Sequence, residues 1–254
     1  MANKDTIGKT IGVALALCIV CSIVVSTAAV MLRPAQEVNK ARDFKRNILQ
    51  AAGLYEEGVA VEEQFKSVTT KAIDFSSGKF TDAIAIEDYD QQKAAKDPAL
   101  STKLDGDTDI AKIGSKENVG LVYLVEQDGQ LDKLILPIKG YGLWSTLYGF
   151  MALEADGNTI VGLGFYQHGE TPGLGGEVDN PRWKALWVGK EVYAADGSVA
   201  ITITKGAAPA GDINKVDGLS GATLTSRGVD NLIKFWMGHN GYAGFLNNLK
   251  KGEA

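Results

Sequence analysis

The residue types best suited to chemistry lie in one stretch, Asp217-Gly218-Leu219-Ser220-Gly221-Ala222-Thr223-Leu224-Thr225-Ser226. Ser220 to Thr223 are small or hydroxylated, so a ligand oxygen can come close to their backbone N–H groups. Gly218 and Gly221 admit backbone angles that other residues resist. Thr225 and Ser226 are good N-cap types and predict a helix beginning near Arg227, with Asp230 in its first turn. A loop of small residues that feeds a helix N-terminus is an anion site, because unpaired N–H groups and the helix dipole face the ligand. The bland alternative is a surface turn that only caps the helix. The threonine hydroxyls add something a simple cap does not need, a nucleophile that a phosphoryl group can esterify.

Two further stretches suit a planar ligand. His168-Gly169-Glu170-Thr171-Pro172-Gly173-Leu174-Gly175-Gly176-Glu177 follows an apolar run and carries four glycines. It can lay amides and carbonyls along a ring edge while Leu174 covers a face; the alternative is a mobile surface loop. Gly140-Tyr141-Gly142-Leu143-Trp144-Ser145 sets aromatic residues among glycines, and Trp144 reads either as a stacking surface or as a core residue. Lys205 stands at the expected end of a strand, before Gly206; as a lone strand-end lysine it is ordinarily solvated. His168 and His239 have no metal-ligand spacing and receive neither a proton nor a metal role.

These stretches need a frame. The chain has 254 residues and a net charge of −5, which gives no support to nucleic-acid binding. Leaving out residues 1–33 makes the remainder more acidic still. Ile11 to Leu32 holds neither charge nor proline, and its 22 residues span about 33 Å as a helix, enough to cross a bilayer core. The run continues past the small residues Ser26-Thr27-Ala28-Ala29, so it reads as an uncleaved anchor. Lys4 and Lys9 precede it, while Arg33, Lys40, Arg42, Lys45 and Arg46 follow. Charge counting therefore puts the large domain in the cytoplasm, yet long domains cross regardless of charge, and the rule decides nothing. Cys18 and Cys21, the only cysteines, share one face of the span and read as small packing residues.

Ala41, Phe44, Ile48 and Ala52 predict a helix after Pro34, ended by Gly53, and a second helix is expected over about 61–75. Glu87 to Asp109 is polar and acidic. Its Asp105-Gly106-Asp107-Thr108-Asp109 resembles a calcium loop, but Ile110 and Lys116 stand where glycine and a bidentate glutamate belong. From Gly120 the texture changes to paired apolar runs. These are 121–126 and 131–138 across Asp128-Gly129, then 147–152 and 159–166 across Asp156-Gly157, with 199–204 after Asp196-Gly197. The class is α+β: a single N-terminal transmembrane helix, then a soluble domain with an antiparallel sheet and flanking helices. The expected divisions are a short N-terminus 1–10, a span 11–32, a helical membrane-proximal region 33–119, and a ligand domain 120–254. Gly8-Lys9-Thr10 is no phosphate loop, and a dinucleotide glycine fingerprint is missing.

Asp217 to Thr223, with Glu170 to Gly176, resembles the FMN-binding domains of membrane electron-transfer complexes. With the N-terminal anchor, Gly142-Leu143-Trp144-Ser145, and Trp183 and Trp187 after Pro181, the chain is most similar to the C subunits of sodium-translocating NADH:quinone oxidoreductases. The G subunits of Rnf complexes share the motif, and a membrane-anchored sensory or structural FMN module is a further alternative. The resemblance implies FMN joined by its phosphate to Thr223 by a flavin transferase, with Thr225 as the competing site. It implies cofactor contacts at Trp144, Glu170, Thr171, Gly173, Leu174, Gly175, Lys205, Asp217, Gly218, Ser220, Gly221 and Ala222. It further implies a six-subunit complex in the bacterial inner membrane with this domain on the periplasmic side. There an electron passes from a membrane iron–sulfur centre to this FMN and on to the covalent FMN of the complex's B subunit, while NADH is oxidised on another subunit.

Overall fold

The computed structural model describes residues 6–254, so residues 1–5 of the expected N-terminal segment lie outside the described residues. The chain divides between Asp43 and Phe44 into two compact units. In chain order the elements are α1 (Ile7–Ala51), α2 (Val61–Gln64), β1 (Val68–Asp74), β2 (Lys79–Phe80), α3 (Gln91–Ala94), β3 (Ser101–Lys103) and β4 (Ser115–Glu117). Four long strands follow: β5 (Val119–Gln127), β6 (Gln130–Tyr141), β7 (Thr146–Glu154) and β8 (Ile160–Gln167). A 3₁₀ turn, Gly175–Asp179, leads to α4 (Pro181–Ala185), β9 (Thr202–Ile203), β10 (Lys215–Val216), α5 (Thr223–Met237) and α6 (Ala243–Lys251).

The first unit is helical and exposed from Ile7 to Asp43. Its apolar stretch is long enough to cross a membrane by length and composition. Cys18 and Cys21 are exposed on it. The helix expected after Pro34 is continuous with the span, and α1 runs through the proline. Proline removes one i→i−4 hydrogen bond, the one that would reach the Val30 carbonyl; an exposed Arg33–Glu37 ion pair (3.1 Å) lies on the following turn.

The second unit is built on a six-stranded antiparallel sheet in the order β2-β1-β5-β6-β7-β8. Alternation along the strands buries both faces. On one, Val122, Leu124, Leu134, Leu136, Leu147 and Met151 pack with Val229, Leu232, Ile233 and Trp236 of α5 and with Phe245 and Leu246 of α6. On the other, Leu121, Tyr123, Val125, Ile135 and Phe150 pack with Ile48, Leu49 and Ala51 at the end of α1. Two hydrogen bonds fix the C-terminal helices to β6: Trp236 Nε1 donates to the Lys139 carbonyl (2.6 Å) and Tyr242 Oη to that of Pro137 (2.7 Å).

The Asp-Gly hairpins form where the sequence places them, and the α+β class holds. Three expectations are corrected. The helix expected over 61–75 stops at Gln64, and Val68–Asp74 is a strand paired along its whole length with β5. The boundary at 119/120 therefore cuts one sheet, and 33–119 is not a helical region. The strand expected over 199–204 shortens to β9, which pairs parallel with β10. The acidic turn at Asp105 is closed by its own groups, its carboxylate accepting from the Thr108 N–H (2.8 Å) and hydroxyl (2.6 Å).

Candidate functional site

Helix α5 begins at Thr223 behind Ala222, earlier than expected, and no side chain caps it. The two residues expected to cap it have other partners. Ser226 Oγ accepts the Leu219 N–H (2.9 Å), and Thr225 Oγ1 donates to Glu170 Oε2 (2.6 Å). The first helical hydrogen bond joins the Ser226 N–H to the Ala222 carbonyl (2.9 Å). The N–H groups of Thr223, Leu224 and Thr225 thus have no protein acceptor among the described residues. Unbonded amides at the positive end of a 15-residue helix put donors and partial positive charge where the small residues predict an anion site.

The hydroxyls divide sharply here. Thr223 is exposed, as are Ser220 and Gly221, whereas Thr225 has no exposed surface. Gly221 has φ +72°, a left-handed conformation that a side chain would strain, and a Cβ there would lie 3.1 Å from Leu174 Cδ2. Leu174 of the glycine-rich loop therefore packs against the residue before the N-cap. It stays half exposed, as do Leu224 and, more strongly, Trp144. Trp144 is not a core residue. Leu174, against Gly221, and Trp144, linked to α5 through Glu170, offer apolar surface that a flat ring can cover.

Glu170 ties these segments together. It is 5 % exposed. Its Oε1 accepts the N–H groups of Leu143 (3.1 Å), Trp144 (3.0 Å) and Ser145 (3.3 Å), while Oε2 takes the Thr225 hydroxyl. Burial alone would raise the pKa of this carboxyl, but the hydrogen bonds from Thr225 and from the Trp144, Leu143 and Ser145 amides outweigh it. The result lies below the ordinary value of 4.5, and Glu170 is an anion at neutral pH. His168 supports it: Nδ1 accepts the Glu170 N–H (3.2 Å), and Nε2 meets Asp179 Oδ2 (2.8 Å).

The other expected residues fall around this junction. The Asp217 carboxylate accepts the Ala208 N–H (2.8 Å) and its carbonyl accepts Trp183 Nε1 (2.8 Å). The Gly218 N–H bonds the Gly206 carbonyl (2.9 Å), which pins the loop that bears Lys205. Lys205 is exposed, two residues beyond β9 rather than at its end. Thr171 acts through its carbonyl, which accepts from Leu174 and Gly176, and Gly173 is an exposed turn glycine at φ +74°. The supporting roles of Thr225, Ser145 and His168 are not visible in the sequence. Their partners lie 55, 24 and 2 residues away, so only the short-range one has any local signal.

An exposed hydroxyl on a helix N-terminus, beside apolar surface and glycine loops, describes a domain that takes a phosphorylated planar ligand. Residues 142–238 match the family model of the FMN-binding domain. The chain is 56 % identical to the C subunit of the Na(+)-translocating NADH-quinone reductase of Pseudomonas aeruginosa, over all of both chains. It is 49 % identical to that of Vibrio anguillarum, over 99 % of this chain and 98 % of the relative. Among solved structures, NqrC of Shewanella oneidensis superposes with a TM-score of 0.79 at 39 % identity, covering 84 % of this chain and 99 % of that one. The chain belongs to the family of C subunits of Na(+)-translocating NADH-quinone reductases.

Proposed function

We propose that this chain carries FMN esterified through its phosphate to Thr223. On this reading it relays single electrons between a membrane iron–sulfur centre and the FMN of the B subunit in a sodium-translocating NADH:quinone oxidoreductase. The observation that carries the reading is the contrast between two threonines on one helical turn. Thr223 is exposed at the uncapped N-terminus of α5, and Thr225 is buried with its hydroxyl engaged.

The residues present fit FMN. A phosphodiester retains one negative charge, and the unbonded amides of exposed Thr223 and Leu224 supply hydrogen bonds and a dipole favourable by about 0.3–1 kcal/mol. Leu174 and Trp144 supply apolar cover, and Lys205 brings a cation to the loop beside Asp217 and Gly218. Bound there, FMN supplies one-electron acceptor and donor chemistry. The chain's own part is to hold, orient and partly shield it. α5 is well suited as a mount, since Val229, Leu232, Ile233 and Trp236 fix it in the core. A covalent link keeps the group in place while its charge, and so its noncovalent affinity, changes with each electron.

On this reading the apolar part of α1, 11–32, is the membrane anchor, and the second unit lies on the periplasmic side, where the transferase loads it. Peptide mapping of the full chain matured with its flavin transferase tests the attachment. One FMN mass on the peptide holding Thr223 is expected; the same mass assigned to Thr225, or none, overturns it. A cysteine introduced at exposed Lys251 and labelled by an impermeant maleimide on intact spheroplasts tests the sidedness.

A further inference from the structure

Glu170 is a buried carboxylate without a cation. Among the described residues no lysine, arginine or histidine forms an ion pair with it, and its four donors are three backbone amides and a threonine hydroxyl. Those donors belong to two other segments, the turn between β6 and β7 and the first turn of α5. The fit is close on both sides. A methyl group at Gly142 would lie 2.6 Å from Oε1, and one at Gly175 would lie 2.7 Å from Oε2 and 2.5 Å from Thr225 Oγ1. Two glycines thus flank the carboxylate and let three backbones converge on it. Ser145 adds a second tie between the same loops, its Oγ accepting the Gly169 N–H (2.6 Å).

We infer that Glu170 is the positioning residue that assembles the flavin-accepting face and reserves the transfer for Thr223. This rests on the reading of Thr223 as the acceptor. Esterification needs an activated donor, here a flavin dinucleotide. The Thr Oγ–P bond forms as the pyrophosphate P–O bond breaks, the nucleoside monophosphate leaves, and the hydroxyl proton passes to a base of the transferase. At Thr225 the hydroxyl has no exposed surface and is held between the side chain at position 170 and Gly175, so an incoming phosphate has no room to reach it while that contact is kept. At Thr223 the hydroxyl is exposed, and the carboxylate faces inward. The carboxylate also sets Leu143, Trp144 and Ser145 against α5, so that the apolar surface stands beside the acceptor before any flavin arrives.

The test compares the length of the side chain with its charge. Full-length apo chain in detergent, as wild type, Glu170→Gln, Glu170→Asp and Glu170→Ala, is incubated with flavin transferase and flavin dinucleotide. The initial rate and the modified threonine are read by peptide mass. Glutamine keeps the reach, an oxygen for the three amides and an N–H for Thr225 Oγ1, so it should retain the rate within about threefold and the choice of Thr223. Aspartate keeps the charge but falls one methylene short. It should lose about tenfold or more, as alanine should, the equivalent of one charge-assisted hydrogen bond. Hydrogen exchange at Leu143 to Ser145 should quicken in the Asp and Ala forms and not in the Gln form, a readout independent of the transferase. Equal rates in all four proteins, or rescue by Asp and not by Gln, would overturn the inference while leaving Thr223 as acceptor. A wild-type chain without flavin on Thr223 sinks the functional reading instead, and the exchange pattern then decides the positioning role alone.

Discussion

Two buried glutamates in the same domain are neutralised in opposite ways. Glu117, on β4, has no exposed surface and faces Lys139 of β6, whose Nζ lies 2.5 Å from Oε2; Gln91 Nε2 serves the other oxygen at 2.5 Å. Glu170, 5 % exposed, has no cation and is served by loop amides and one hydroxyl. The difference follows from what surrounds each. Around Glu117, strands and a helix hold side chains in fixed rows, so a lysine can be aimed at a carboxylate from a neighbouring element. Around Glu170, a tight turn makes successive N–H groups converge, and the backbone itself becomes the counter-charge. The first arrangement ties the edge of the core together. The second sets loops against a helix end without any side-chain cation among the described residues.

Breaking each arrangement should cost differently. Lys139→Met leaves Glu117 charged, fully buried and short of a donor, so urea unfolding should show a loss of about 3–5 kcal/mol. Thr225→Val keeps the shape but removes one of four donors from Glu170. The remaining three amides still serve it, and the loss should be about 1–2 kcal/mol by the same measurement. A larger loss for Thr225→Val than for Lys139→Met would mean that the loop junction, and not the ion pair, is the stiffer of the two.

Acid should sharpen the contrast. The folded-state pKa of Glu170 is depressed, so its contribution to stability is complete above the unfolded value near 4.5 and is lost as pH falls through the folded value. Asp74, Asp90 and Asp156 are depressed as well, through their own turn hydrogen bonds, and slope in the same direction. The comparison of wild type with Glu170→Gln isolates the site, because those aspartates are common to both. Between neutral pH and about pH 3, wild type should lose stability more steeply than the glutamine form. Parallel curves would show that Glu170 titrates alike in the folded and unfolded chain.

What the sequence discloses follows the range of the interaction. Alternating apolar runs around Asp-Gly pairs locate β5 to β8, because both the period and the turn are local properties. Val68–Asp74 reads as helix because it follows the helical Val61–Gln64 without a turn signal; its pairing with β5, some fifty residues on, decides the outcome. The loop at 217–223 is legible because small residues and a helix onset sit side by side. The start of α5 is misplaced by the very residues that hold the site, since Thr225 and Ser226 use their hydroxyls on Glu170 and Leu219 instead of capping. Glu170 has no local sign of being the junction, its partners being drawn from positions 143–145 and 225.

The smallest effect on stability belongs to the residue with the largest proposed role. Thr223 is exposed, and no hydrogen bond of its side chain supports the fold among the described residues, so Thr223→Ala should stay within about 0.5 kcal/mol of wild type in urea. The same change should remove the fluorescent flavin band on a denaturing gel. Thr223→Ser offers the finer probe. A primary hydroxyl at the same helix position keeps both the nucleophile and the free amides, so flavin should still be attached, again with stability unchanged. Stability and flavin loading are then set by different members of one helical turn, Thr225 and Thr223. Should Thr223→Ala unfold as readily as Thr225→Val, the division of labour between the two threonines would fail, and with it the separation of scaffold from acceptor on α5.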